Sequence, residues 1–218
     1  MTFTEHNIEQ RTPEWYALRC GRLCGSKASD MLATIQKGEA AGRRNLRMQL
    51  VLERITGKPQ ERSAFQSQAM QDGVTREVDA VALYDATTGH CARATGFIAV
   101  NELLAGCSPD GIIGDFEGLL EVKSPIAATH WEFLKTGTIP DNYLKQITHN
   151  LWVTGAAWCD YVSYQPDFPE SRRTQIVRVP RAALDIEAYD RAAKKFLAEV
   201  DFELLEFNKL PQREAVVA

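Results

Sequence analysis

The fold turns on the stretch Cys107-Ser-Pro-Asp110-Gly-Ile-Ile-Gly114-Asp-Phe116-Glu-Gly118-Leu-Leu-Glu121-Val-Lys123. Gly114 and Gly118 bracket a turn centred near Phe116, so the segments on either side are expected to run antiparallel. In that hairpin Asp110 falls opposite Val122, give or take one residue. Strand period places Glu121 and Lys123 on one face and Val122 on the other, with the Val122 backbone carbonyl still able to turn toward the acids. Asp110, Glu121 and Lys123 are therefore expected to converge at one end of a sheet.

Working outward, Ala94–Val100, Leu104–Ile113 and Gly118–Ser124 alternate apolar and polar residues between glycines and read as strands, as do Trp158–Tyr164 and Gln175–Val179. Helices are expected on both sides of them. Thr12 and Pro13 open a short one that Gly21 stops, and Ser26 would cap a second through Leu32. Arg43–Thr56, Gln68–Thr88, Ala127–Lys135, Asp141–Thr154 and Asp185–Asn208 follow. This order predicts an α/β fold with a mixed central sheet flanked by helices, in place of a regular alternation of strand and helix. All 218 residues are expected to form one domain: a basic helical part over 11–62, a core over 68–164 and a closing strand and helix over 172–208.

Hydrophobic residues make up 44% and charged residues 25%, the proportions of an ordinary globular chain. No apolar run is long enough to span a bilayer and the first residues lack an apolar centre, so a cytoplasmic address and no membrane partner are expected. Five cysteines, at 20, 24, 91, 107 and 159, lack the paired spacing of a zinc site and read as reduced packing residues. His6, His90, His130 and His149 show no metal spacing either, and His149 reads as packing. Net charge is −4, yet residues 11–62 carry 11 Lys/Arg against 5 Asp/Glu, a local +6 that leaves −10 for the rest. A basic N-terminal third can face phosphates while the acidic remainder faces solvent or holds a metal.

Two carboxylates, a carbonyl and an ammonium suit a hard divalent cation, which takes oxygen ligands and keeps waters for phosphate and nucleophile. Lys123 would hold the attacking water and offset charge as the pentavalent phosphate forms. Glu-x-Lys alone is more often a surface pair, and Pro-Asp-Gly alone is a common turn. No Ser–His–Asp relay and no phosphate-binding Gly-rich loop with Lys-Ser/Thr is present, which argues against a serine hydrolase and a nucleotide-driven motor.

Taken together, Pro109-Asp110, ten residues, then Glu121-Val-Lys123 resemble the signature of the PD-(D/E)xK nuclease superfamily. Further landmarks narrow the resemblance: Thr12-Pro-Glu-Trp15-Tyr-Ala-Leu-Arg19-Cys-Gly21, Ser26-Lys-Ala-Ser, Gly73-Val-Thr-Arg-Glu77, Cys107-Ser-Pro-Asp-Gly111, and Tyr143-x-x-Gln146 followed by Leu151-Trp-Val-Thr154. In this order they resemble the phage lambda exonuclease, or YqaJ-type viral recombinase, family over about two-thirds of the chain.

The resemblance implies a restriction-endonuclease-like fold and a Mg²⁺-dependent 5′-to-3′ double-stranded DNA exonuclease. Such an enzyme releases 5′-mononucleotides and leaves a 3′ single strand for an annealing protein. It further implies a ring-shaped homotrimer on duplex ends, one or two Mg²⁺ ions (with Mn²⁺ as a substitute), and a phage or prophage origin in a bacterial host. Asp110, Glu121 and the Val122 carbonyl would hold metal, joined by Glu77 directly or through water. Gln146 would orient the nucleophilic water or a site carboxylate. The second glutamine of the family's helix is replaced by Thr148, whose hydroxyl reaches less far. Arg19 would receive the 5′-phosphate, with Ser26 as a hydroxyl donor, and Trp15 is read as packing. Met70 stands where relatives carry an apolar wedge between terminal base pairs, and an adaptable packing methionine fits that place equally. Two other readings stay open: a nuclease of the same superfamily with different polarity or a single-strand substrate, and a DNA-end-binding module with a disabled site.

Overall fold

A computed structural model of the chain describes residues 1–60 and 68–211, with backbone alone over 68–75. In chain order the elements are β1 (Phe3–His6), α1 (Pro13–Arg19), β2 (Leu23–Cys24), α2 (Ala28–Met31), α3 (Ala41–Thr56), α4 (Gln68–Thr88) and β3 (Phe97–Val100). They continue with β4 (Ala105–Cys107), β5 (Gly111–Ile113), β6 (Gly118–Lys123), α5 (Ala127–Thr136), α6 (Asp141–Thr154), β7 (Trp158–Tyr164), β8 (Thr174–Pro180) and α7 (Ile186–Asn208).

The fold is α/β with mixed pairing, but the expected single central sheet is two four-stranded sheets, ordered β1-β3-β4-β2 and β5-β6-β7-β8. The division falls inside Leu104–Ile113, which the sequence pattern suggests is one strand. Ser108-Pro109-Asp110 interrupts it, because proline brings no N–H to a ladder and the chain there leaves one sheet for the other. Two short strands escaped the pattern altogether: β1, only four residues long with charged Glu5 inside it, and the two-residue β2.

The hairpin forms as expected. β5 and β6 pair antiparallel with Gly111 opposite Leu120, one residue from the anticipated register, and Asp110 N–H donates to the Leu120 carbonyl at 3.0 Å. Gly114 and Phe116 both take left-handed backbone at the turn, φ 60° and 61°. For phenylalanine that conformation needs support, and its ring packs 4.8 Å from Phe3. β6 then runs parallel to β7, leaving it bonded on both sides.

Alternation along β6 decides what meets what. Leu119 joins the core built with α3, α6 and α7, while Leu120 and Val122 join a second cluster with Ala80 and Tyr84 of α4. Glu121 and Lys123 therefore point toward α6 and away from α4.

The charge partition expected between the two ends of the chain is partly cancelled by packing. Arg43 and Arg54 of α3 pair with Glu199 and Asp201 of α7 at 2.7 and 2.6 Å, and Arg47 pairs with Glu39 and with Glu203. Three arginines of the basic third thus neutralise the acidic last helix and do not present a phosphate-facing surface. Among the described residues, no helix is long and apolar enough to cross a membrane. All five cysteines are free, three of them buried.

Candidate active site

The site lies where β5 begins and β6 ends. β5 covers the edge of β6 only as far as Leu120, and beyond it the Asp110 side chain takes over: Oδ2 accepts from the Val122 N–H at 2.6 Å. A strand residue's N–H and C=O leave on the same edge, so the Val122 carbonyl also points past the end of β5 toward Asp110. Glu121 is fully buried. Its Oε1 accepts from Lys123 Nζ and from Gln146 Nε2, the latter at 2.5 Å, and its Oε2 accepts from Asn150 Nδ2 at 3.0 Å. Lys123 also lies 5.6 Å from the centre of the Tyr143 ring.

Burial pushes the Asp110 carboxyl well above the usual range, and the Glu121 and Glu77 charges add to that, against Lys123 and the Val122 N–H. For Lys123, burial works to lower the ammonium's pKa, but Glu121 and Asp110 outweigh it and the group is raised, fully charged at neutral pH. The Asp110 and Glu121 carboxylates, beside an outward-pointing carbonyl, form an oxygen donor set that suits a hard divalent ion. Among the described residues, no three His, Cys, Asp or Glu side chains are already gathered as a metal cage. Two carboxylates with a carbonyl remain compatible with Mg²⁺, which commonly uses few protein ligands.

Glu77 on α4 reaches the same cleft from the other side. This space of about 910 Å³ is lined by Gln10, Arg11, Glu77, Thr95 and Asp110 among others, and Glu77 Oε2 is paired with Arg11 Nη2 at 2.8 Å. Arg19, at the end of α1, stacks its guanidinium 4.1 Å above the Trp15 ring and donates to Ser26 Oγ at 3.3 Å. Ser26 sits in a helical turn ahead of α2 and makes no cap bond, contrary to its expected role as N-cap; its hydroxyl faces Arg19 instead. Trp15 donates from Nε1 to Ser108 Oγ at 2.9 Å, which ties the helix that carries Arg19 to the loop that carries Asp110.

Residues 14–157 match the model of the YqaJ-like viral recombinase domain. The chain belongs to that family. In the YqaJ-like fold it is also similar to the alkaline exonuclease LHK-Exo of Laribacter hongkongensis, with 33% identity over 91% of this chain and 97% of that one and a TM-score of 0.81. A second structure of LHK-Exo, in complex with dAMP, matches with the same identity, coverage and score. A phage-related exonuclease from Haemophilus somnus 129PT shares the fold at 15% identity, covering 84% of this chain and 96% of that one with a TM-score of 0.60. Comparison with curated protein sequences gave no match.

The YqaJ-like domain thus brings Asp110, Glu121, Lys123 and Gln146 together, sets Glu77 at the rim, and places Arg19 with Ser26 nearby. The side chain of Met70 lies outside the described residues. Thr148 is not part of the site: its hydroxyl donates back to the Leu144 carbonyl at 2.8 Å. Two residues after Gln146 is more than half a turn round the helix, whereas four residues after it returns to the same face. Asn150 occupies that position and takes the second Glu121 oxygen, a partner that the i, i+4 spacing could have revealed. His149 is packing, as expected. Its Nε2 donates to the Gly106 carbonyl at 2.9 Å, its Nδ1 accepts from the Tyr189 hydroxyl at 2.7 Å, and burial lowers its pKa to about 4.

Gly25 lets its backbone lie against this face of α6, where a β-carbon would stand 2.4 Å from Asn150 Oδ1. Gly25→Ala is therefore expected to displace Asn150 and to destabilise the protein by about 1–3 kcal/mol. A thermal melt together with a nuclease assay checks this; an unchanged melting temperature would contradict the close approach.

Proposed function

We propose that this chain is a Mg²⁺-dependent exonuclease that degrades double-stranded DNA from 5′ ends, releases 5′-mononucleotides and leaves a 3′ single strand for an annealing protein. The observation that carries the reading is the convergence of Asp110, Glu121 and Lys123 where β5 begins and β6 ends, in a member of this family, with Asp110 opening onto the cleft that Glu77 also lines. A relative one-third identical is named an alkaline exonuclease, and that protein was solved with a nucleoside monophosphate, the product class proposed here.

Mg²⁺, or Mn²⁺ in its place, at one or two positions between Asp110, Glu121 and the Val122 carbonyl would polarise the scissile phosphate and lower the pKa of the attacking water. Lys123, held charged beside Glu121, donates to that water and offsets negative charge developing on phosphorus. Gln146 and Asn150 fix the rotamer of Glu121 by occupying both its oxygens. Arg19 offers its planar fork to the terminal 5′-phosphate, steadied on Trp15, with Ser26 alongside.

In the homotrimeric ring of this proposal, enclosure of the duplex compensates for an acidic net charge. Exposed Phe202, Leu205 and Phe207 near the end of α7 offer apolar surface for contacts between copies. The proposed setting is the cytoplasm of a bacterial host of a phage or prophage.

Digestion of duplexes labelled at one end tests polarity: mononucleotides should leave 5′-phosphorylated strands in Mg²⁺, and a preference for 3′ ends or for single strands would overturn the reading. Arg19→Ala is expected to slow cleavage of 5′-phosphorylated ends by roughly 10- to 100-fold, the worth of a charge-assisted bidentate contact, with little change on 5′-hydroxyl ends. Equal losses on both kinds of end would reject the phosphate role.

A further inference from the structure

Arg11 is held over the cleft by an unusual segment. Its neighbour Gln10 donates to the carbonyls of Thr95 and Pro109 at 3.0 and 3.4 Å, and Thr12 donates to the Glu9 carbonyl at 2.8 Å while capping α1. Between these anchors Arg11 has φ 71°, one of two non-glycine residues in the left-handed region among the described residues. Such a conformation persists only where the surroundings fix it, and it tends to occur at functional sites. Here it delivers a guanidinium to the cleft lined by Glu77 and Asp110. The ion pair with Glu77 sits at the mouth, the two side chains 39% and 24% exposed, so water can reach it and the pair can open.

We propose that Arg11 is the counter-ion that Glu77 exchanges for the divalent metal, so that metal binding breaks one ion pair as it forms the complete carboxylate set. The inference rests on the proposed metal site. Glu77 lines the same cleft as Asp110, and the residue paired with it there is Arg11. The Arg11 guanidinium offsets part of the negative charge that Glu77 brings to the cleft beside Asp110. It also sets a threshold that the incoming ion must exceed, and thereby tunes metal affinity downward. Arg11 acts in this way through Glu77 and is a positioning residue.

A double-mutant cycle read by calorimetric titration of the full chain with Mn²⁺, without DNA, tests the exchange. Arg11→Gln is expected to tighten Mn²⁺ binding ~2- to 5-fold, the strength of a partly exposed ion pair. Glu77→Gln should weaken binding, and in that background Arg11→Gln should bring no gain. Arg93 lines the same cleft but pairs with Glu5, so Arg93→Gln controls for a general change in field. A gain that survives in the Glu77→Gln background, an equal gain from Arg93→Gln, or no gain at all would each overturn the exchange. A wild-type protein with no Mn²⁺ binding sensitive to Asp110→Asn would instead remove the metal site itself, and the exchange with it.

Discussion

Asp110→Asn is expected to lower Mg²⁺-dependent nuclease activity by on the order of 10³-fold while raising the melting temperature of the metal-free protein. The two effects share one cause. The Asp110 carboxyl is raised by burial and then by the charges of Glu121 and Glu77. A group raised in the folded state contributes its stability in full below its unfolded pKa and loses it as pH rises through the folded value. Well above the unfolded pKa, at pH 8, the acid therefore carries a cost that asparagine does not, and the amide oxygen can still accept from the Val122 N–H. In a chelator at pH 8 the variant should melt a few degrees higher, the size expected of a ~1 kcal/mol gain in a domain of this length, and the difference should shrink toward pH 4. Added Mg²⁺ should stabilise the wild type by mass action and leave the variant unmoved. A variant that melts lower than wild type in chelator, or that keeps the Mg²⁺ shift, would contradict this balance.

Asn150→Leu is the second large effect. Leucine fills a similar volume but donates nothing, leaving Glu121 Oε2 buried without its partner. Loss of a hydrogen bond that orients a metal-binding carboxylate is expected to reduce activity by roughly 10- to 100-fold. Stability should also fall by about 1–3 kcal/mol, because a buried acceptor goes unsatisfied. The reduction should appear mainly in kcat, since Asn150 lies behind Glu121 and not on the DNA. Thr148→Ala provides the contrast: its hydroxyl bonds only to the Leu144 carbonyl, so activity should stay close to wild type. If the two variants behave alike, the assignment of roles along α6 is wrong.

Much of this was legible before any coordinates because the informative residues lie close together in sequence. A turn between two glycines and the period of a strand are local properties, and they placed Asp110, Glu121 and Lys123 within one residue of their observed register. The long helices announced themselves through apolar periodicity and through glycines after their ends, as at Gly57 and Gly155, both left-handed C-caps. What failed was non-local. Whether Leu104–Ile113 is one strand or two depends on which sheet each half joins, and no local pattern carries that. The pairing of Arg43, Arg47 and Arg54 with α7 joins residues about 150 positions apart, so counting charge by segment overstated what the N-terminal third can offer to phosphate. Arg11 was one basic residue among eleven until its backbone conformation and its partner Glu77 set it apart. Asn150, by contrast, follows from local geometry: it lies four residues beyond Gln146 and so on the same face of α6, whereas Thr148, two residues beyond, faces away.

Diffraction at the manganese absorption edge, from crystals of the protein with Mn²⁺ and a short 5′-phosphorylated duplex, tests the central claim most directly. The account predicts an anomalous peak about 2.0–2.3 Å from oxygens of Asp110 and Glu121 and from the Val122 carbonyl, with the scissile phosphate on its open side and Lys123 Nζ within hydrogen-bonding reach of the attacking water. A peak bound elsewhere on the chain, with those three oxygens turned to other partners in a complex that still cuts DNA, would contradict it.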